Sequence, residues 1–229
     1  MKKILVTVAA ACATTLSAAG AIAADAPSFA GIWKVDGDYS TIRTTDGRIP
    51  PLKPEAKKRY DAAVTARKKG KPSGDPLAKC LPHGLPRLMF APYPIEVIQD
   101  AKQITFLHEA HHMPRFVYIG EKLPPTESLD GNYMGFSAAN WDKDTLVIDS
   151  AGFNDITTID TAGLPHSENM VLQERMRLTD NGQGLEDVIT VTDPDTYSKP
   201  WKTRVTFRRM PNDYWLQEFV CTDKNPDAG

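Results

Sequence analysis

From Ile95 to Cys221 the chain repeats one pattern, short runs in which apolar positions tend to alternate, separated by turn residues. The runs cover residues 95–99, 103–110, 115–119, 145–150, 171–178, 185–192, 202–209 and 214–221, and residues 31–35 form a further one upstream. A period of two sends successive side chains to opposite faces of a strand, and turns this frequent leave no room for long helices. Nine short strands with hairpin-like spacing predict a mainly β fold, an antiparallel barrel or sandwich. Residues 141–145 and 179–182 read as hairpin turns.

The composition is that of one domain: 229 residues, 41% hydrophobic and 24% charged, with a formal net charge of -2. Those values exclude a disordered chain, and the charge gives no electrostatic reason to expect nucleic acid. The first 23 residues read as a signal peptide. Lys2 and Lys3 precede an apolar stretch, and Ala21-Ile22-Ala23 has the small-x-small form that signal peptidase cuts. This predicts a mature domain over 24–229, periplasmic or secreted, with no membrane span. Cys80 and Cys221 remain after cleavage, in a compartment where disulfides persist, and allow one intramolecular pairing. A bridge closing a loop of that length is worth up to about 5 kcal/mol by the chain-entropy model.

Only one segment reads as a helix. Pro54-Glu55 opens a stretch rich in Ala, Lys and Arg that ends at Lys68-Lys69-Gly70, a surface helix with a thin apolar stripe of Tyr60, Ala63 and Val64. Residues 71–94 hold six prolines, so this backbone lacks the donors of a central strand and reads as a long ordered loop pinned by Cys80.

Several polar groups interrupt the pattern. His108-Glu109-Ala110-His111-His112 satisfies the H-E-x-x-H template of zinc hydrolases, which needs a helix so that residues i and i+4 share a face. The lead-in, Gln103-Ile104-Thr105-Phe106-Leu107, is strand-like and Pro114 follows closely, and on a strand positions four apart lie roughly 13 Å apart. The expectation is therefore no metal. Glu174 shares a face with Leu172, Met176 and Leu178, so it is either a buried carboxylate suited to acid–base work or, with the faces reversed, in solvent or in an ion pair with Arg175 or Arg115. Glu109 shares a face with Thr105 and Leu107, and Arg115 and Tyr118 cannot both point inward without a bulge. Gly163-Leu164-Pro165-His166-Ser167-Glu168 puts an imidazole, a hydroxyl and a carboxylate in one loop, either a base with its orienting groups or a locally bonded loop. There is no G-x-S-x-G elbow and no dinucleotide or phosphate fingerprint, so no cofactor is expected.

Cys80-Leu81-Pro82-His83-Gly84-Leu85-Pro86-Arg87-Leu88-Met89, Pro92-Tyr93-Pro94-Ile95-Glu96, the stretch from Trp141 to Asp149, Gly152-Phe153-Asn154-Asp155, Gly163 to Glu168, and Asp193-Pro194 with Pro200-Trp201 together resemble a largely uncharacterised bacterial secreted family. The resemblance covers nearly the whole mature chain. It implies a lipocalin-like barrel with an internal pocket and a Glu, His, Arg series at three-residue steps, here Glu109, His112 and Arg115. Where that pattern often has Met-Gly-His-Ser, this chain has Met134-Gly135-Phe136-Ser137, which removes a histidine and makes the pocket more aromatic.

Similar secreted barrels include lyases that release formaldehyde from lignin-derived dimers. The resemblance thus implies cofactor-independent acid–base chemistry on a small aromatic molecule, with His112, His166, Glu174 and Arg115 catalytic and Arg87, Glu109, Tyr118, Phe136 and Trp141 binding the substrate. A non-catalytic carrier of a small apolar ligand is the alternative, and a zinc hydrolase built on the HEAHH segment is a further one. On the catalytic reading, His112→Ala, Arg115→Ala and His166→Ala should impair function at a stability change within roughly 2 kcal/mol.

Overall fold

The computed structural model describes residues 26–71 and 74–221; the predicted signal segment lies outside them. The strands are β1 (Gly31–Val35), β2 (Ile95–Gln99), β3 (Gln103–His108), β4 (Pro114–Ile119), β5 (Phe136–Asp142), β6 (Thr145–Ala151), β7 (Val171–Thr179), β8 (Gly184–Thr192) and β9 (Trp201–Arg209). Each strand pairs with its neighbour in sequence, and β9 returns to β1, where Trp33 faces Arg209, so the sheet closes into a lipocalin-like barrel. Closure removes free sheet edges. One helix, α1 (Pro54–Lys68), lies outside the sheet with Ala56 and Tyr60 buried beneath it and its lysines in solvent.

Two strand assignments change. The ninth strand is β5 rather than 214–221, and β5 pairs with β4 in parallel, Val117 opposite Ser137, whereas every other pairing is antiparallel. Phe136-Ser-Ala-Ala-Asn hides its strand character because small residues replace the usual β-branched ones, and burial there does not alternate. The small inner residue Ser137 instead meets the long side chain of Arg115 from β4. Segment 214–221 has strand-forming residues but enters no ladder; the amides of Gln217 and Phe219 are taken by side chains, as described below.

Inward positions follow the alternation closely. Ile104, Phe106 and His108 on β3, Leu146, Ile148 and Ser150 on β6, Leu172, Glu174 and Met176 on β7, and Leu185, Asp187, Ile189 and Val191 on β8 are all buried. One end of the barrel is stoppered by Phe29, whose carbonyl accepts from the Trp33 indole at 2.8 Å and whose ring lies 5.3 Å from that of Trp141. The opposite end, the mouth, is plugged by the proline-rich segment. Residues 83–91 form an unbroken buried run, although no sheet carries them. The polar backbone of this run is satisfied locally, with Leu85 N–H donating to Tyr133, Leu88 to Gly84 and Met89 to Pro86. Side chains from the strands and the plug line the interior, as expected of a narrow barrel.

Candidate functional site

The barrel interior holds one polar layer. Arg115, about 1% exposed, reaches across from β4 and pairs in two-pronged fashion with Glu174: Nη1 donates to Oε1 at 2.8 Å and Nη2 to Oε2. Ser137 Oγ accepts from Arg115 Nε and Nη2, Ser150 Oγ accepts from Nη2 at 3.1 Å, and the two hydroxyls bond to each other at 2.8 Å. Asp187 completes the layer from β8. It is fully buried beside Glu174, and burial, then the charge of Glu174, hold its carboxyl well above the usual carboxylate range. Of the two readings open for Glu174, the structure shows both features together, an inward carboxylate and an ion pair with Arg115.

Above this layer the plug gathers imidazoles. His108 points into the barrel and His83 descends from the plug, at 1% and 8% exposure. Desolvation, reinforced by Arg115 near His108 and by Arg87 near His83, lowers each to about 3, so both rings are neutral at any physiological pH. His83 Nδ1 and His108 Nε2 have no hydrogen-bond partner in the protein. The ring of His111 stands edge-on to that of His83, centroids 5.0 Å apart. Gly84 fixes the place of His83: its φ is +69°, and a Cβ there would sit 2.8 Å from Thr157 Oγ1. Arg87 is clamped in two-pronged fashion to Asp75 at 2.8 and 2.7 Å and donates to Thr158 at 3.0 Å, leaving Nε unpartnered.

His83 and Arg87 line a pocket of about 370 Å³ at the mouth, walled by Tyr39, Phe90 and Ile159 and edged by Asp160. Aromatic and aliphatic walls with a few convergent polar groups are the ordinary make-up of a small-molecule site.

The residues expected from sequence do not assemble into one site. Arg115 and Glu174 are together but bonded to each other. His166 is buried in a different layer, its Nε2 2.8 Å from Thr157 Oγ1 and its Nδ1 3.1 Å from the Ser167 carbonyl. Burial lowers its pKa. Asp193, 26 residues further on, accepts from Ser167 N and Oγ, so this loop is tied to the segment that follows β8. His112 is exposed, and its Nε2 accepts the Phe219 amide at 2.9 Å. Glu109 accepts from Tyr214 Oη and from the Gln217 amide. Tyr118 and Phe136 stack at 5.3 Å on the outer face, because the inward parity of Arg115 and Val117 forces Tyr118 outward. Trp141 lies at the stoppered end. Arg87 alone of the expected substrate-binding residues lines the mouth pocket.

The HEAHH segment is the β3–β4 connection rather than a helix. His111 and His112 take positive φ values of 59° and 49°, which turns the chain back sharply and aims His108 into the barrel and His112 out of it. Among the described residues no group of three or more His, Cys, Asp or Glu is placed to hold a metal ion. The period-two rule that set Glu109 beside Leu107 also puts His108 beside Ile104 and Phe106, so His108 was legible as an inward residue. His83 was not, because nothing in a proline-rich run has a period, although the apolar stretch Leu85 to Ala91 signals a buried loop.

Cys80 and Cys221 are bridged, with Cα atoms 5.7 Å apart. Among the described residues no helix is long and apolar enough to cross a membrane.

No protein-family model matches the chain, and no curated protein does. Among solved structures the chain is similar to a point mutant of the REP1-NXSQ fatty acid transporter, at 15% identity over 79% of this chain and 97% of that one, with a TM-score of 0.36.

The buried groups predict opposing pH limbs. Asp187 keeps its proton in the fold when the unfolded chain has lost it, so the unfolded state binds fewer protons and stability falls as pH rises above the ordinary value of 3.8. His83 and His108 stay neutral while the unfolded chain takes up protons, so stability falls as pH drops from 6.5 towards 3. Thermal melts between pH 4 and 9 should show Asp187→Asn raising the melting temperature on the alkaline side, and His108→Leu flattening the acid side. An unchanged alkaline limb in Asp187→Asn would remove Asp187 as its source.

Proposed function

We propose that the protein is extracytoplasmic and binds a small hydroxyl-bearing aromatic molecule at the barrel mouth. The observation that supports this most strongly is His83, a buried, neutral imidazole with an unpartnered nitrogen, on the wall of a pocket that also presents the rings of Tyr39 and Phe90 and the side chain of Ile159 beside its polar groups. A neutral imidazole accepts a hydroxyl proton in a hydrogen bond without bringing a charge out of water, and the rings of Tyr39 and Phe90 offer faces for an aromatic body. The disulfide and the signal-like first 23 residues support export to the periplasm or beyond.

The lyase reading uses the same pocket. A base takes the proton of a hydroxymethyl group, the carbon–carbon bond breaks to release formaldehyde, and the electron pair left on the second carbon is quenched by that proton, so no redox cofactor is needed. A second imidazole, His111, beside His83, and the guanidinium of Arg87 beneath the pocket favour it. The direct test titrates the mature protein with a hydroxymethyl-bearing lignin-type dimer by calorimetry while following formaldehyde. Binding with formaldehyde supports the lyase, binding alone supports the carrier, and no binding overturns the pocket. His83→Phe should weaken binding roughly 10-fold, the value of one lost hydrogen bond; unchanged affinity would move the ligand elsewhere.

A further inference from the structure

We infer that segment 214–221 is a lid over the His111–His83 pair, latched by the Cys80–Cys221 disulfide. The inference concerns the regulation of the mouth site and rests on the pocket reading only for its consequence. The segment crosses the β3–β4 turn without joining the sheet. Its two anchoring amides, Gln217 and Phe219, donate to side chains, Glu109 Oε2 and His112 Nε2, both at 2.9 Å. Between those anchors and the latch sits one apolar wedge. The Phe219 ring packs 5.2 Å from Tyr93 and 4.9 Å from His111, and His111 in turn touches His83. The turn beneath it presents Glu109, His111 and His112 to the segment within four residues, a display that requires its two consecutive positive-φ histidines.

Such a segment differs from a strand in what holds it down. A ladder bond is repeated along the chain, whereas here two side-chain acceptors that take two amides and the Tyr214 hydroxyl, one ring and one covalent bond carry the attachment, and segments with few backbone bonds are the first to open locally. The Trp215 side chain is largely in solvent, 71% exposed. With the disulfide closed, both ends of the segment are tied, one to β9 and one to Cys80. Reduction by a dithiol, which supplies two electrons and two protons and ends as its own disulfide, yields two thiols and leaves the segment tied at one end only. The open form then exposes His111 and, behind it, the side of His83 away from the pocket.

The test uses the full mature chain and no ligand. Amide exchange at Gln217 and Phe219, and carbethoxylation of His111 mapped by mass spectrometry, are compared in the oxidised protein, the reduced protein and the Phe219→Ala variant with its disulfide intact. Opening should raise amide exchange by at least ~10-fold on reduction, and His111 should react faster in both the reduced protein and Phe219→Ala. His166, buried against Thr157, serves as the unmoved control. Equal His111 rates in all three forms, or amides that exchange no faster after reduction, overturn the lid. Because neither readout involves a ligand, a protein that binds no aromatic compound yet opens on reduction refutes the pocket alone.

Discussion

Arg115→Met should lower the free energy of unfolding by about 3–5 kcal/mol, read from the midpoint of urea denaturation. Arg115 is the one cation in a layer with two carboxyls, Glu174 and Asp187, all of them almost completely buried. Removing it leaves Glu174 without its two-pronged partner in a medium that solvates charge poorly, so the fold must either hold an unpaired carboxylate or protonate it. The same physics predicts recovery. Arg115→Met combined with Glu174→Leu removes both charges, leaves Ser137 and Ser150 bonded to each other, and should return most of the loss, since a buried pair replaced by apolar groups of similar volume is often neutral. A double variant no more stable than the single one would contradict this account. The sequence-based expectation that Arg115→Ala changes stability by no more than roughly 2 kcal/mol is therefore replaced by this larger loss. It took Arg115 as a pocket group, whereas the structure makes it the hub of the interior, and a loss of activity in that variant carries no information on catalysis.

Removing the covalent tie should have the second large effect. Cys80→Ser with Cys221→Ser should cost about 2–5 kcal/mol, a fall in melting temperature of about 5–15 °C at this chain length. The bridge joins residues 141 apart in sequence, so its main action is to restrict the unfolded chain, and the barrel itself should keep its circular dichroism spectrum below the transition. A melting temperature within a degree of the parent would show that the unfolded chain gains little freedom when the bridge is removed. Lid opening and this global loss are separate effects, because the first appears in native-state exchange well below the melting temperature.

Eight of the nine strands, the helix and the disulfide were legible from the period-two pattern, the proline and glycine punctuation and the two cysteines that lie beyond the predicted signal segment. β5 was not, because its inner residues Ser137 and Ala139 are small, Ser137 meeting the Arg115 guanidinium, and small residues carry no strand signature. The inward direction of Glu174 was legible as a possibility, but its partner was not, since Arg115 lies 59 residues away and contacts it only once the barrel has closed. The site itself was the least legible part. Histidines in an H-E-x-x-H string draw attention as a unit, yet two positive-φ residues send His108, His111 and His112 to three different environments. His83 sits in a segment whose structure is set by what it plugs.

The most direct test of the mouth-site account is nitrogen-detected NMR of the five imidazoles, titrated in pH and then with a hydroxyl-bearing aromatic compound. The account predicts that His83 and His108 remain neutral to below pH 5, and that the ligand shifts the His83 ring nitrogens while leaving those of His166 in place. Protonation of His83 near pH 6.5, or ligand shifts that bypass His83, would contradict it.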